Sequence, residues 1–241
     1  MIVDTKGINP AFKCLSDNPE IRVFLDANII VPPDRSDWGV KPFTFDHYRN
    51  IWLTPLFEEF SGLSLHESVY KELVSIPVKD CVDEYTKKDP PLLRIYHDND
   101  LSDSEKVMMN TYIRRLALHS QYDPELDNAK DRGEVRSLSY MAVRGFLYFS
   151  ARDSLPIRLI KEAKTLNTGL DRLGVIQVYE LIYYLYRTGK YDNKSLRALY
   201  KYLYHLTKNE KRTNPEWGVF VQEMDALYDS ASFFQMKKDS I

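Results

Sequence analysis

The chain has 241 residues, 28% of them charged and 44% hydrophobic, an ordinary balance for a soluble globular protein that can bury a sizeable core. A net charge of -2 excludes a global basic field, although a local basic patch stays open. Two cysteines, Cys14 and Cys81, exclude a disulfide framework and any Cys/His zinc site, and the absence of a leader-like or membrane-spanning apolar run leads to the expectation of a cytoplasmic protein.

The first informative stretch is Ile21-Arg22-Val23-Phe24-Leu25-Asp26-Ala27-Asn28. It is apolar, rich in β-formers and too short for an amphipathic helix, so it predicts one buried strand. A carboxylate delivered at the end of such a strand lies where α/β proteins bind ligands, whereas the plainer reading makes Asp26 the start of a turn. Pro32 to Pro42 predicts a loop, and Asp46 to Phe60 a helix that Pro55 kinks or divides. Gly62 to Leu65 predicts a second, very short strand, followed by a helix from His66 to Ser75 that places Glu72 at the edge of its apolar face.

From Pro77 to Asp103 the composition turns polar; Asp98, Asp100 and Asp103 lack the glycine and the terminal glutamate of a calcium loop. Ser102-Asp103-Ser104-Glu105 fits a capping box opening a helix to about His119, with Val107, Met108, Tyr112, Leu116 and Ala117 as its expected buried side. Asp131-Arg132-Gly133-Glu134 opens the next helix, with Gly145 as its C-cap, and there Glu134 reads either as a capping partner of Asp131 or as a ligand. Phe146 to Phe149 predicts a buried strand, Asp153 follows it, and Leu155 to Leu166 continues as a helix that tolerates Pro156 in its first turn.

Strand and helix therefore alternate, the pattern of a parallel α/β sheet. Beyond Asn167 the segments Leu173 to Thr188, Asn193 to Thr207 and Pro215 to Tyr228 all read as helices. Their tyrosines, among them Tyr179, Tyr183, Tyr200 and Tyr204, suit packing with hydroxyls reaching polar partners better than a base-stacking platform. The five histidines show no metal-ligand spacing, and no phosphate-cradling glycine loop or nucleophile elbow is present.

Four acids share one description: Asp26 and Asp153 follow strands, Glu72 lies on the helix after the second strand, and Glu134 starts a helix. Carboxylates gathered at one sheet end repel each other unless cations join them, and hard divalent ions such as Mg²⁺ or Mn²⁺ prefer oxygen ligands. The segments Val23 to Asn28, Ser68-Val69-Tyr70-Lys71-Glu72-Leu73, Asp131 to Arg136 and Leu147 to Asp153 resemble, in order, motifs of the PIN-domain family of metal-dependent nucleases. Those motifs are strand-Asp-x-Asn, Val-x-x-Glu-Leu, Gly-Glu before a helix, and a strand followed by Asp.

The resemblance implies a PIN-like parallel sheet flanked by helices over residues 1–166, with insertions at about 32–60 and 76–130, and a helical carboxyl-terminal extension over 167–241. It implies Asp26, Glu72, Glu134 and Asp153 as catalytic, metal-binding carboxylates for Mg²⁺ or Mn²⁺. Asn28 would hold Asp26 or a water, and Arg152, Arg158, Lys161 and Lys164 either hold substrate phosphates or form a solvated helix face. Ser154 stands where many relatives carry a second Asp, which leaves the number of metals open. The implied activity is metal-assisted hydrolysis of RNA by an endoribonuclease, as in toxins of toxin–antitoxin or defence systems. The alternatives are a catalytically inactive PIN-fold binding or assembly module and a phosphoesterase acting on small nucleotides. RNA, an antitoxin or other protein, and a second copy of the chain are the partners to consider, with no membrane among them.

Overall fold

The computed structural model describes residues 2–228. The chain opens with helix α1 (Pro10–Asp17), whose Asn9 side chain accepts from the Ala11 amide while Pro10 occupies the first turn, where its missing N–H costs nothing. Strand β1 (Val23–Leu25) follows, buried at all three positions. It runs at once into the short helix α2 (Ala27–Ile30), capped by Asp26. The proline-rich stretch after it is a loop carrying one 3₁₀ turn, Ser36–Trp38.

Helix α3 (Phe45–Tyr48) passes through a π-helical turn, Arg49–Leu53, into α4 (Thr54–Glu59). The widened turn immediately precedes Pro55, whose ring and absent N–H disturb the regular ladder there. Tyr48 Oη and Trp52 Nε1 both donate to the Ile29 carbonyl at 2.9 Å, tying this inserted segment to the end of α2. Strand β2 (Leu63–His66) leads to α5 (Glu67–Glu72), where His66 is the N-cap and accepts from the Ser68 amide. Glu67 does not cap its own helix; its Oε1 accepts from the amide of Asp98 at 2.9 Å.

The polar stretch after Ser75 holds an unannounced helix, α6 (Ile76–Thr86), and an edge strand, β3 (Arg94–Tyr96). Helix α7 (Asp103–Ala117) begins with the expected Ser102–Glu105 capping box, but its buried side is Met109, Ile113 and Leu116. Val107 and Met108 are exposed instead. The true stripe steps by four and three residues, as a helix against a sheet requires. Helix α8 (Arg132–Arg144) ends at Gly145, which adopts the left-handed conformation (φ 71°) open to glycine without penalty.

Strand β4 (Tyr148–Ala151) lies two residues later than expected, and α9 (Ser154–Lys161) and α10 (Ala163–Leu166) together replace the single helix predicted after it. A larger correction concerns Leu173 to Thr188: Gly174–Gln177 is strand β5, and only Val178–Thr188 is helix α11. Helices α12 (Asn193–Tyr204), α13 (Lys208–Thr213) and α14 (Trp217–Tyr228) complete the described chain.

The five strands form one all-parallel sheet in the order β3-β2-β1-β4-β5. Side chains alternate between its faces, so Phe24, Phe149 and Val175 enter one core with residues of α7, α8 and α9. Val23, Leu25, Leu63, Leu65 and Ile176 enter the other, with α1, α4, α11, α12 and α14. Both faces are covered, as parallel sheets require. The tyrosines of α11 and α12 belong to the second core, and their hydroxyls find partners: Tyr183 donates to Asp225, Tyr200 to the Pro215 carbonyl and Tyr202 to the Pro33 carbonyl. No described helix is long and apolar enough to cross a membrane.

One topological feature positions the site. From β1 the chain moves outward to β2 and β3, then returns to β4 on the opposite side of β1. The carboxyl ends of β1 and β4 therefore diverge into a crevice at the switch point, where open α/β sheets bind ligands.

Candidate metal centre

Asp26 and Asp153 reach this crevice by the same local device. Each follows a strand, keeps an extended backbone and occupies the N-cap position of the next helix. Asp26 spends Oδ1 on the Ala27 amide at 2.8 Å, and its own amide donates to the Ser150 carbonyl of β4 at 3.0 Å. Asp153 makes no side-chain cap bond, which leaves its carboxylate turned to other uses. Asn28 bridges the two strand ends: its amide nitrogen donates to Asp26 Oδ2, and its Oδ1 accepts from the Arg152 amide at 3.0 Å. This gives Asn28 the orienting part expected of it toward Asp26.

Glu134 arrives from the first turn of α8. The capping box that local spacing allowed between Asp131 and Glu134 is absent, because Asp131 is left-handed (φ 56°) and makes no side-chain cap bond. Asp131 Oδ2 accepts from the Gln121 amide instead. The helix end is served by Glu72, whose Oε1 accepts from the Gly133 amide at 2.7 Å. A Cβ at position 133 would lie 2.5 Å from Glu72 Oε2, so this approach requires glycine. Relieved of capping, Glu134 joins the crevice.

One carboxylate oxygen each from Asp26, Glu134 and Asp153 lies within 4.8 Å of the others. Of the four acids expected at a site, these three converge; Glu72 sits beside them as the cap of α8. Burial is graded from Asp26, 2% exposed, through half-buried Glu134 to exposed Asp153. Burial raises the pKa of Asp26 well above the usual carboxylate range, and the charges of Glu134 and Asp153 push the same way. Burial also raises that of Glu134. Glu72 is pushed up to about 7, first by burial and then by Glu134, against the lowering effect of the Gly133 amide. Among the described residues neither Asp26 nor Glu134 forms an ion pair within the protein.

Three oxygen donors at this spacing, with repelling charges and, among the described residues, no ion pair to Asp26 or Glu134, form a group that can bind a metal ion. The all-carboxylate donor set suits a hard divalent ion rather than a thiophilic one.

Beside the centre lies a cavity of about 950 Å³ that shares Asp153 with it. Of the four cations expected either to hold phosphates or to form a solvated face, Arg152, Arg158 and Lys161 line this cavity and Lys164 is not among its lining residues. Arg152 Nε is 4.0 Å from Asp153 Oδ1, and Arg158 donates to the His119 carbonyl. Its other walls were not foreseen: they come from the amino-terminal segment, from Pro33 to Arg35 and from the end of α12. No local pattern marks those residues, since Arg35 is placed by bonds to the Tyr202 and Leu203 carbonyls and to Glu210. The chain matches no family model, and no curated protein and no solved structure matches it.

Proposed function

We propose that the protein is a PIN-like, Mg²⁺- or Mn²⁺-dependent endoribonuclease. The observation that supports this most is the convergence of Asp26, Glu134 and Asp153, uncompensated by any ion pair to Asp26 or Glu134 among the described residues, beyond the carboxyl ends of β1 and β4. The sequence resemblance adds the substrate class and the order of the motifs.

In this reading Asp26, Glu134 and Asp153 hold the ion, and Glu72 keeps the amino end of α8 in register so that Glu134 faces them. A bound divalent ion would supply a water of lowered pKa and positive charge against the phosphate oxygens. Asn28 holds the Asp26 carboxylate in one orientation, which spares the site reorganisation on binding. Arg152 places a cation beside Asp153, and Lys161 adds another in the adjoining cavity, where a substrate phosphate would enter. No histidine is needed as a general base: His66, the buried one, is committed to Asp98 and the Ser68 amide. A role as a toxin silenced by a cognate antitoxin would follow the family and belongs to the same proposal.

The test is cleavage of a mixed single-stranded RNA and DNA pool with Mn²⁺ or Mg²⁺, run beside Asp26→Asn and Asp153→Asn. Metal-dependent cutting of RNA that both substitutions remove supports the proposal. An inert wild type that also fails to bind Mn²⁺ by calorimetry overturns it and leaves a binding or assembly module.

A further inference from the structure

The cavity beside the carboxylates is a built pocket. One edge is the centre itself, through Asp153. The opposite edge is the amino-terminal segment, strapped down by four hydrogen bonds. The Val3 amide donates to Asn214 Oδ1, Thr5 to Glu223, Tyr179 to the Asp4 carbonyl, and the Asn9 amide to Tyr228 Oη. Arg35 fixes the third side by clamping the end of α12 and the carboxylate of Glu210, both partners largely shielded from water.

The chemistry of the lining is divided. Ile157, Pro33 and Leu203 supply apolar surface, Lys6, Arg152 and Lys161 supply cations, and Asp4, Asp34, Asp153 and Glu162 add carboxylates, so the cations are the part of the lining suited to a phosphate. A volume of about 950 Å³ is at the upper end for a small-molecule site and exceeds what one phosphate or one ion fills. Apolar surface for a base, cations for its phosphate and a shared edge with a candidate metal centre describe one ligand class. Building on the nuclease reading, we propose that this cavity receives the nucleoside adjoining the scissile phosphate, so that cleavage selects among bases. The walls that make the selection come from the amino-terminal segment, the loop after α2, α9 and the end of α12, outside β1 and β4 themselves.

Two measurements separate this inference from the nuclease reading. The four nucleoside 5′-monophosphates are titrated into the full chain in EDTA and followed by NMR shift changes. Wild-type protein should bind one at least about tenfold more tightly than the weakest, the scale on which a pocket separates related ligands. Ile157→Trp, which fills the pocket from a partly buried position on α9, should weaken that binding by about tenfold. Should Ile157→Trp fail to fold, Lys6→Glu on the exposed segment should do the same through the phosphate. In parallel, RNA cut with Mn²⁺ is mapped to the nucleotide. Base-selective cutting, flattened by either variant, supports the pocket. Cutting that is equal at all four bases, with no mononucleotide binding, overturns the pocket and spares the nuclease. Selective mononucleotide binding without cutting of any polymer supports a nucleotide site and overturns the nuclease. Mononucleotide binding that both folded variants leave unchanged overturns the pocket.

Discussion

Two groups of carboxylates flank the amino-terminal half of α8, and the fold treats them in opposite ways. On one side Asp98 receives His66 Nε2 at 3.0 Å and the guanidinium of Arg136. Burial alone would raise its pKa, but the bonds from His66 and Arg136 outweigh that and bring it to about 2. On the other side burial raises both Asp26 and Glu134, helped by the charges of Glu134 and Asp153 at Asp26 and by those of Asp131 and Asp153 at Glu134. The first group is electrostatically complete and reads as a clamp joining β2, the turn after β3, and α8. The second is incomplete without a cation, and such incompleteness in a crevice marks a functional site better than acidity does.

The contrast is broken or sharpened most strongly at the level of activity. Asp26→Asn and Asp153→Asn should each lower Mn²⁺-dependent cleavage on the order of 10³-fold or more, since each removes a ligand of the proposed ion. Asp98→Asn should leave some metal-dependent cleavage in whatever fraction remains folded. Equal losses in all three would erase the distinction between the groups.

Stability without metal should move in opposite directions. In EDTA, Asp98→Asn strands Arg136 and should cost about 3 kcal/mol in urea unfolding. Asp26→Asn relieves repulsion in the same buffer and should gain about 1 kcal/mol. A loss at Asp26 as large as that at Asp98 would mean that Asp26 is a structural group.

Glu180 provides a control, a buried carboxylate outside both groups, bonded to Asn9 and the Gln177 amide. Burial pushes its pKa up to about 7 from the ordinary 4.5, with those bonds acting against the rise. The folded state therefore keeps a proton that the unfolded chain releases between these values. Its contribution to stability is complete below pH 4.5 and is lost as the pH rises through about 7. This amounts to about 3 kcal/mol. Glu180→Gln should flatten that part of the stability–pH curve, and an unchanged slope would refute the assignment.

A small effect is also expected at the join between Glu72 and α8. Gly133→Ala forces a methyl group against the Glu72 carboxylate and should cost about 1–2 kcal/mol by displacing the cap. Glu72→Gln keeps an acceptor for the Gly133 amide and should weaken Mn²⁺ binding less than Asp26→Asn does. If calorimetry finds the two equally harmful, Glu72 is a ligand rather than a cap.

Much of the local structure was readable from neighbouring residues. The Ser102–Glu105 box, the C-cap at Gly145, the disturbance at Pro55 and the placement of Asp26 directly after a buried strand are settled within a few residues. Their hydrogen bonds and dihedral limits are local, so sequence order alone states them. Other elements had no such support. Arg94–Tyr96 is a strand because β2 offers it a parallel edge, and Gly174–Gln177 because β4 does. Three or four residues of mixed character cannot specify a strand without that partner.

The site divides in the same way. The sequence by itself determined which acids could matter, because the strand-Asp-x-Asn and Gly-Glu patterns are short and ordered. Only the tertiary structure decided that Asp26, Glu134 and Asp153 share one crevice while Glu72 caps α8, because those contacts join segments far apart in the chain. It also decided that the amino-terminal segment, the loop after α2 and α12 enclose a cavity beside them. Charges and hydrogen-bonding groups are written in the sequence, but their compensation is a property of distance, and distance is set by the order of the strands.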